Sequence, residues 1–444
     1  MKIQAKVNSL DAWACIYALM VLIISIFTSS FSLLLFGLYF ILALPFVRSV
    51  EHYIVICLLF STISYYFTGA YEEIYSMYTI LVVLIVLKSF IIDGGFLQFS
   101  KKNILSIIAL IVLSLISYKL SKFNYSNGLY RLGYLLIVSI FVGNFVRCRL
   151  KTICEILPKI AATMVLGYLF TIAISGIYID GRLTIANDIN TNTFGMSCAQ
   201  LGCILLMTAF FNKEHRMRNI VLCTIILILA LLSGSRGAIL AFILSCLIVV
   251  IVYSKRAGTL SGSLFKLSIA GIVLLCLVYF LVIFTGLDTS RFKISDIIAS
   301  GGSRRTLIYS SLISYIFENG FWKFGYGPGH ECSRQIILSL IGWDYSHSHN
   351  LFLESFGELG IGGLIFTCIC LFRSLIDIDK ISKKYENSYV LVAMLICLVI
   401  NGMAESYFID AVFWILIAVC RNNFIDIENI DSETSDFLIS NEVI

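Results

Sequence analysis

Residues 219–254 read NIVLCTIILILALLSGSRGAILAFILSCLIVVIVYS, which is two apolar runs separated by a short turn of small residues with one arginine. Each run approaches the length of about 20 apolar residues that a helix needs to cross a bilayer. In lipid a backbone must satisfy its own hydrogen bonds, so isolated runs of this kind fold as helices. The stretch therefore predicts two antiparallel membrane helices joined by a tight turn.

The same pattern recurs along the chain, whose 444 residues are 59% hydrophobic and only 13% charged. A soluble domain carries about 25% charged residues, so this composition excludes a soluble globular protein, and the 3 prolines exclude a proline-rich disordered one. We predict an all-α, polytopic integral membrane protein with about 12–14 transmembrane helices. The candidate spans lie near 12–27, 30–47, 53–70, 74–92, 104–120, 129–146, 160–178, 194–212, 219–234, 238–253, 267–287, 354–372, 388–403 and 406–420.

Lysine and arginine are divided unevenly between the two sides of these spans. With the N-terminus in the cytoplasm, 21 of the 32 basic residues fall in cytoplasmic segments, 5 in short outer loops and 6 in one long outer loop. Positive charge collects on the cytoplasmic side of membrane proteins, so the bias predicts an even number of spans and two cytoplasmic termini. The resulting divisions are a helical bundle at 1–287, a large outer loop at 288–350, C-terminal transmembrane helices at 351–420 and an acidic cytoplasmic tail at 421–444.

Arginines stand out in two outer segments. Arg236 lies in Ser233–Ala238, between two apolar runs, and the pair Arg304 and Arg305 lies in Gly301–Thr306 of the long loop. A guanidinium binds phosphate oxygens in bidentate fashion, and the small neighbours leave room for a bulky anion. The alternatives are an arginine that snorkels to the interface and an exposed basic turn.

Histidines mark a third outer segment, Trp343–Glu354, where the long loop returns to the membrane. His347 and His349 are two of the 5 histidines of the chain. A neutral imidazole accepts a proton near pH 7, and the alternative is an interfacial cap that happens to contain a histidine. A metal site would also need Asp344 and a further ligand, such as Glu354 or His330, because a His-x-His pattern alone is weak. We predict no metal.

Taken in order, these motifs resemble the O-antigen polymerase and O-antigen ligase superfamily of bacterial envelopes. Ser235-Arg236-Gly237-Ala238 opens an apolar helix, and Arg305 precedes Tyr309 by four residues. A G-x-G-x-G turn at Gly325–Gly329 and the element Ser348-His349-Asn350-Leu351 follow. The resemblance covers roughly 180–365, and its weaker outer elements are Gly181-Arg182 and Asn192-Thr193-Phe194-Gly195.

The resemblance implies a GT-C-like membrane glycosyltransferase of the bacterial inner membrane, with the long loop in the periplasm. Its donor would be an oligosaccharide on undecaprenyl diphosphate, with membrane lipid around it and a chain-length regulator protein as a candidate partner. No cofactor, metal or nucleic acid is expected. We assign catalysis to His349, Arg236 and Arg305, and substrate binding to Arg304, Arg182, Asn192, Asn350, Tyr309 and His347.

Three functions remain open from the sequence. A polymerase, which we favour because such polymerases are diverse and the loops of this chain are idiosyncratic, joins lipid-linked repeat units. A ligase transfers the polysaccharide to lipid A–core and differs in its acceptor. A polysaccharide-unit flippase or other transporter would carry ionisable residues near the bilayer midplane, whereas here the polar residues gather at one face.

Overall fold

The computed structural model describes residues 51–52, 54–55, 58–59, 101–121, 123, 148–175, 177–179, 181–185, 190–262, 305–342, 348–403, 411–421 and 424. The predicted spans near 12–27, 30–47, 74–92, 129–146 and 267–287 lie outside these residues, as does most of 53–70. The described helices are α1 (Lys101–Leu120), α2 (Leu150–Ser175), α3 (Thr191–Phe211), α4 (Arg216–Leu232), α5 (Arg236–Arg256), α6 (Arg305–Glu318), α7 (His330–Ile341), α8 (Leu351–Lys384), α9 (Tyr389–Gly402) and α10 (Ala411–Cys420).

Four of the described helices are long and apolar enough to cross a membrane, judged by length and composition. They comprise Leu150–Leu169 of α2 and the whole of α3, α5 and α8. The two apolar runs of 219–254 form α4 and α5, separated by the turn at Ser233–Ser235. The prediction of a polytopic helical membrane protein is confirmed, while the total number of spans depends on segments outside the described residues.

Helix α3 lies at the centre of the described bundle and packs against α2, α4, α5 and α9. Its buried face carries many small side chains, and small residues let membrane helices approach closely. An added Cβ on Gly202, for example, would lie 3.1 Å from the ring of Phe242 on α5. Other buried residues of this face are Gly195, Ser197, Cys198, Ala199 and Cys203.

Contacts at the helix ends fix the relative directions of α3, α5, α8 and α9. Arg256, the last residue of α5, donates to Asp379 Oδ1 near the end of α8 at 2.6 Å and to the Tyr389 hydroxyl at the start of α9 at 2.7 Å. Phe211, the last residue of α3, stacks on Tyr389 with ring centroids 5.1 Å apart. The starts of α3, α5 and α8 and the end of α9 therefore lie together at the opposite end, which we call the motif end.

A short β-hairpin at the motif end is an addition to the predicted all-α fold. Strands β1 (Ile177–Ile179) and β2 (Arg182–Thr184) pair in antiparallel register, with Ile177 opposite Thr184 and Ile179 opposite Arg182. The hairpin follows the end of α2 and precedes α3. It therefore brings Arg182 back towards the first turn of α3.

The described part of the long loop is folded rather than irregular. Helix α6 buries Ile308, Leu312 and Ile316, a spacing of four that gives one apolar face. Leu312 and Ile316 of this face belong to a small core that is separate from the main one and also contains Phe321, Tyr326, Cys332, Ile336 and Leu353. Burial, together with the nearby Glu358, raises the pKa of the Tyr326 phenol well above its usual range, so the hydroxyl stays protonated beside Ser333 Oγ at 2.8 Å.

Helix α8 is broken at Gly360, whose φ of 68° and ψ of −161° are not helical. The break frees backbone groups, and the turn after α6 bonds to them. The Ile361 amide donates to Trp322 O, and the Tyr326 amide donates to Gly357 O, both at 2.8 Å. The loop is therefore joined to α8 by backbone hydrogen bonds at the break, in keeping with the rule that breaks in membrane helices persist where other groups satisfy the freed backbone.

Candidate functional site

The turn between α4 and α5 presents Arg236 at the motif end. Gly234 adopts a φ of +66°, a conformation that favours glycine. Ser233 and Ser235 are buried, whereas Arg236 is partly exposed. An added Cβ on Gly195 of α3 would lie 2.4 Å from Ser235 Cβ, so the turn packs directly on the backbone of α3. The arginine thus emerges from a turn that is itself held inside the protein.

Arg182 and Asn192 lie against this turn. Arg182 donates from Nε to Ser233 O at 2.8 Å and from Nη2 to Asn192 Oδ1 at 2.6 Å. An added Cβ on Gly234 would lie 3.1 Å from Arg182 Nε, so the arginine stem crosses over the glycine. The structure therefore brings together three motifs: the hairpin arginine, the start of α3 and the Arg236 turn, which lies more than 40 residues after the other two in the sequence.

The histidine motif lies at the start of α8 and is bonded to α6 and α9. Tyr309 of α6 donates its hydroxyl to His349 O at 2.8 Å and to Met403 O at 3.2 Å. Asn350 caps α8 by accepting from the amides of Phe352 and Leu353, each at 3.0 Å. Its Nδ2 donates to Met403 O at 3.3 Å, so the carbonyl after α9 ties both residues to the motif end of the bundle.

His349 has a left-handed backbone, with a φ of +54°. This conformation is uncommon in residues other than glycine. Two hydrogen bonds hold the backbone in this conformation. Tyr309 donates to the His349 carbonyl, and the Ser348 hydroxyl donates to Asn350 O at 3.1 Å. Uncommon backbone conformations that the surroundings enforce occur often at functional sites.

Arg305 is the first residue of α6 and lies one helical turn before Tyr309, so both are on the same face of the helix. Like Arg236 and His349, Arg305 is partly buried, which leaves each side chain both accessible and partly shielded from water. Arg304, His347 and Asp344 lie outside the described residues. Within the described part of the chain, no group of three His, Cys, Asp or Glu residues is placed to hold a metal ion.

Three features of this region were not predicted from the sequence. The carbonyl of Met403 joins Tyr309 and Asn350, but a backbone acceptor leaves no mark in a sequence. Gly195 was part of the motif around Asn192, but its close contact with the Arg236 turn was not predicted. Phe321 and Tyr326 of the long loop are core residues, with exposures of 6% and 0%.

Comparison with known families identifies the central part of the chain. Residues 221–368 match the family model described as O-antigen ligase. No curated protein matches the chain significantly. The matched range contains Arg236, Arg305 and His349, whereas Arg182 and Asn192 precede it. The predicted resemblance to the O-antigen polymerase and ligase superfamily is therefore confirmed over residues 221–368, and a match to this family implies a membrane glycosyltransferase-like enzyme.

Proposed function

We propose that the protein is an O-antigen polymerase that joins oligosaccharide repeat units carried on undecaprenyl diphosphate at the periplasmic face of the bacterial inner membrane. The observation that carries the proposal is the common location of Arg236, Tyr309, His349 and Asn350 at the motif end of the bundle. A lipid diphosphate keeps its headgroup at the membrane surface, and the site lies at the end of the membrane helices.

Arg236 and Arg305 bind the diphosphate in this proposal. When the acceptor hydroxyl attacks the anomeric carbon of the donor, a new C–O bond forms, the bond from that carbon to the diphosphate oxygen breaks, and negative charge moves to the leaving group. Fixed cations in a partly dehydrated site stabilise that charge. Arg236 is the first residue of α5, whose N-terminal amides also favour an anion.

His349 accepts the proton of the attacking hydroxyl and later returns it to solvent. The hydrogen bonds that hold the left-handed backbone at His349 support this role, because a general base must be kept within hydrogen-bond reach of its substrate. Asn350 and Tyr309 hold the histidine loop on the bundle. Arg304 and His347 adjoin these residues in the sequence and remain predicted to contact substrate.

Substitution of the arginines tests the binding role. Arg236→Lys retains the positive charge but loses the planar fork, so we expect turnover of purified lipid-linked units to fall severely at normal membrane levels. Arg216→Lys, at the opposite end of α4, is the matched control and should remain active. Arg305→Ala should be impaired more than Arg304→Ala. The reverse order would place the binding arginine at 304.

A ligase is the alternative, favoured by the description of the matching family model. The lipopolysaccharide ladder of a deletion strain separates the two functions. Core with a single repeat unit supports a polymerase, whereas bare core with accumulated lipid-linked polymer supports a ligase. Bare core without lipid-linked polymer would favour transport of the repeat unit, and an unchanged ladder would exclude all three functions.

A further inference from the structure

The Arg236 turn has an unusual support. Arg182 reaches across from the hairpin and donates to Ser233 O at 2.8 Å, while its second donor binds Asn192 Oδ1 at 2.6 Å. Ser233 caps the C-terminal end of α4. Carbonyls at such an end lack partners within the helix and carry partial negative charge, so a cation is favourable there.

The opposite side of the turn is supported as well. Gly195 of α3 approaches so closely that an added Cβ would lie 2.6 Å from Ser233 Oγ and 2.4 Å from Ser235 Cβ. Ser233 Oγ in turn donates to Ala230 O at 2.7 Å. The turn is therefore fixed between Arg182 on one side and α3 on the other, and Arg236 follows immediately.

We propose that Arg182 is a positioning residue, which sets the direction of Arg236 by holding the turn at Ser233 and Gly234. The inference rests on the proposed function and refines it, because Arg182 was expected to contact substrate directly. Two of its donors bind protein acceptors on two separate elements. Asn192, which receives one of these bonds from the first turn of α3, shares the positioning role.

A double-mutant cycle distinguishes positioning from direct binding. The measurement is the affinity of the purified protein for undecaprenyl diphosphate, with Arg182→Ala, Arg236→Ala and the double variant. If Arg182 acts through Arg236, each single change weakens binding by about tenfold or more, and the double variant is no weaker than Arg236→Ala. The pair Arg182→Ala and Arg305→Ala should show independent, multiplying effects.

Multiplying effects in both pairs would overturn the proposal and return Arg182 to direct contact with the ligand. If Arg236→Ala binds as tightly as the unmodified protein, the diphosphate role fails instead. Hydrogen exchange separates these failures, because it does not depend on activity. Positioning predicts faster exchange of the backbone amides at 233–239 in Arg182→Ala, and unchanged exchange there would overturn it.

Two further variants test whether the effects of Arg182→Ala arise from misfolding. Asn192→Ala removes only the 2.6 Å bond to Arg182, so it should weaken binding and speed amide exchange at 233–239 less than Arg182→Ala does. Arg216→Ala removes an exposed arginine from the start of α4, at the other end of the bundle. It should alter neither affinity nor exchange at 233–239.

Discussion

The backbone of His349 allows the imidazole to be tested separately from the loop that carries it. Because φ is +54°, alanine would add strain, whereas asparagine tolerates the left-handed region well. We expect His349→Asn to reduce turnover by about 10²–10⁴-fold, the usual contribution of a general base, with an unchanged melting temperature.

The chain provides a matched control for this change. His215 also has a left-handed backbone, with a φ of +56°, but is exposed at the opposite end of α4. His215→Asn should be fully active. Substantial turnover by His349→Asn would show that the histidine is not the general base. If EDTA abolishes the turnover of the wild-type protein and a divalent ion restores it, the histidine would instead be a metal ligand.

Tyr309 holds the histidine loop through its hydroxyl, which reaches both His349 O at 2.8 Å and Met403 O at 3.2 Å. Tyr309→Phe removes these bonds and retains the ring. We expect the free energy of unfolding to fall by about 1 kcal/mol and turnover to fall as well, because the loop loses a support. Tyr178→Phe, on the exposed face of β1, should change neither quantity, and normal turnover in Tyr309→Phe would contradict the role.

At the scale of elements, local pattern predicted some features and missed others. The apolar runs at 219–254 correctly gave α4 and α5, since helix formation in lipid follows from composition alone. The break at Gly360 was not predicted, because the groups that satisfy it, Trp322 O and the Tyr326 amide, come from the long loop more than 30 residues earlier. The hairpin was not predicted either, because its two strands of 3 residues are too short to show an alternating apolar pattern.

The break makes Gly360 sensitive to substitution. Its φ is +68°, and an added Cβ would lie 2.7 Å from the backbone of Lys323. Gly360→Ala must therefore strain the backbone and displace the loop, and we expect a loss of at least about 1–3 kcal/mol in stability. Thermal unfolding in detergent measures it. Gly262→Ala is the control, since nothing lies within 4 Å of the added Cβ, and equal melting temperatures would show that the break is not required.

At the scale of the molecule, the sequence predicted which residues share an end but not which of them touch. The count of basic residues put Arg182, Arg236 and the long loop on one side, and the described helices place Arg182 and Arg236 together at the motif end. The bonds from Arg182 to Ser233 and Asn192 depend on how α3 packs against α4. That packing arises from close contacts of small residues such as Gly195 and Gly202, which a single sequence does not encode as a readable pattern.

The sidedness of the whole molecule is the prediction on which the chemistry depends. The motif end must face the periplasm if the donor is presented there, and the opposite end carries the basic residues Lys213, Arg216, Lys255, Lys383 and Lys384. Because such residues favour the cytoplasm, topology reporters fused at Lys102, Arg218 and Lys384 should give cytoplasmic signals, and one near Glu331 should give a periplasmic signal. A fusion at Lys213 repeats the cytoplasmic result on the same side of α4 as Arg218 and serves as an internal control. A cytoplasmic signal at Glu331 would put the arginines and His349 on the wrong side for a periplasmic lipid-linked donor, and the proposed reaction would then fail even if every helix were placed correctly.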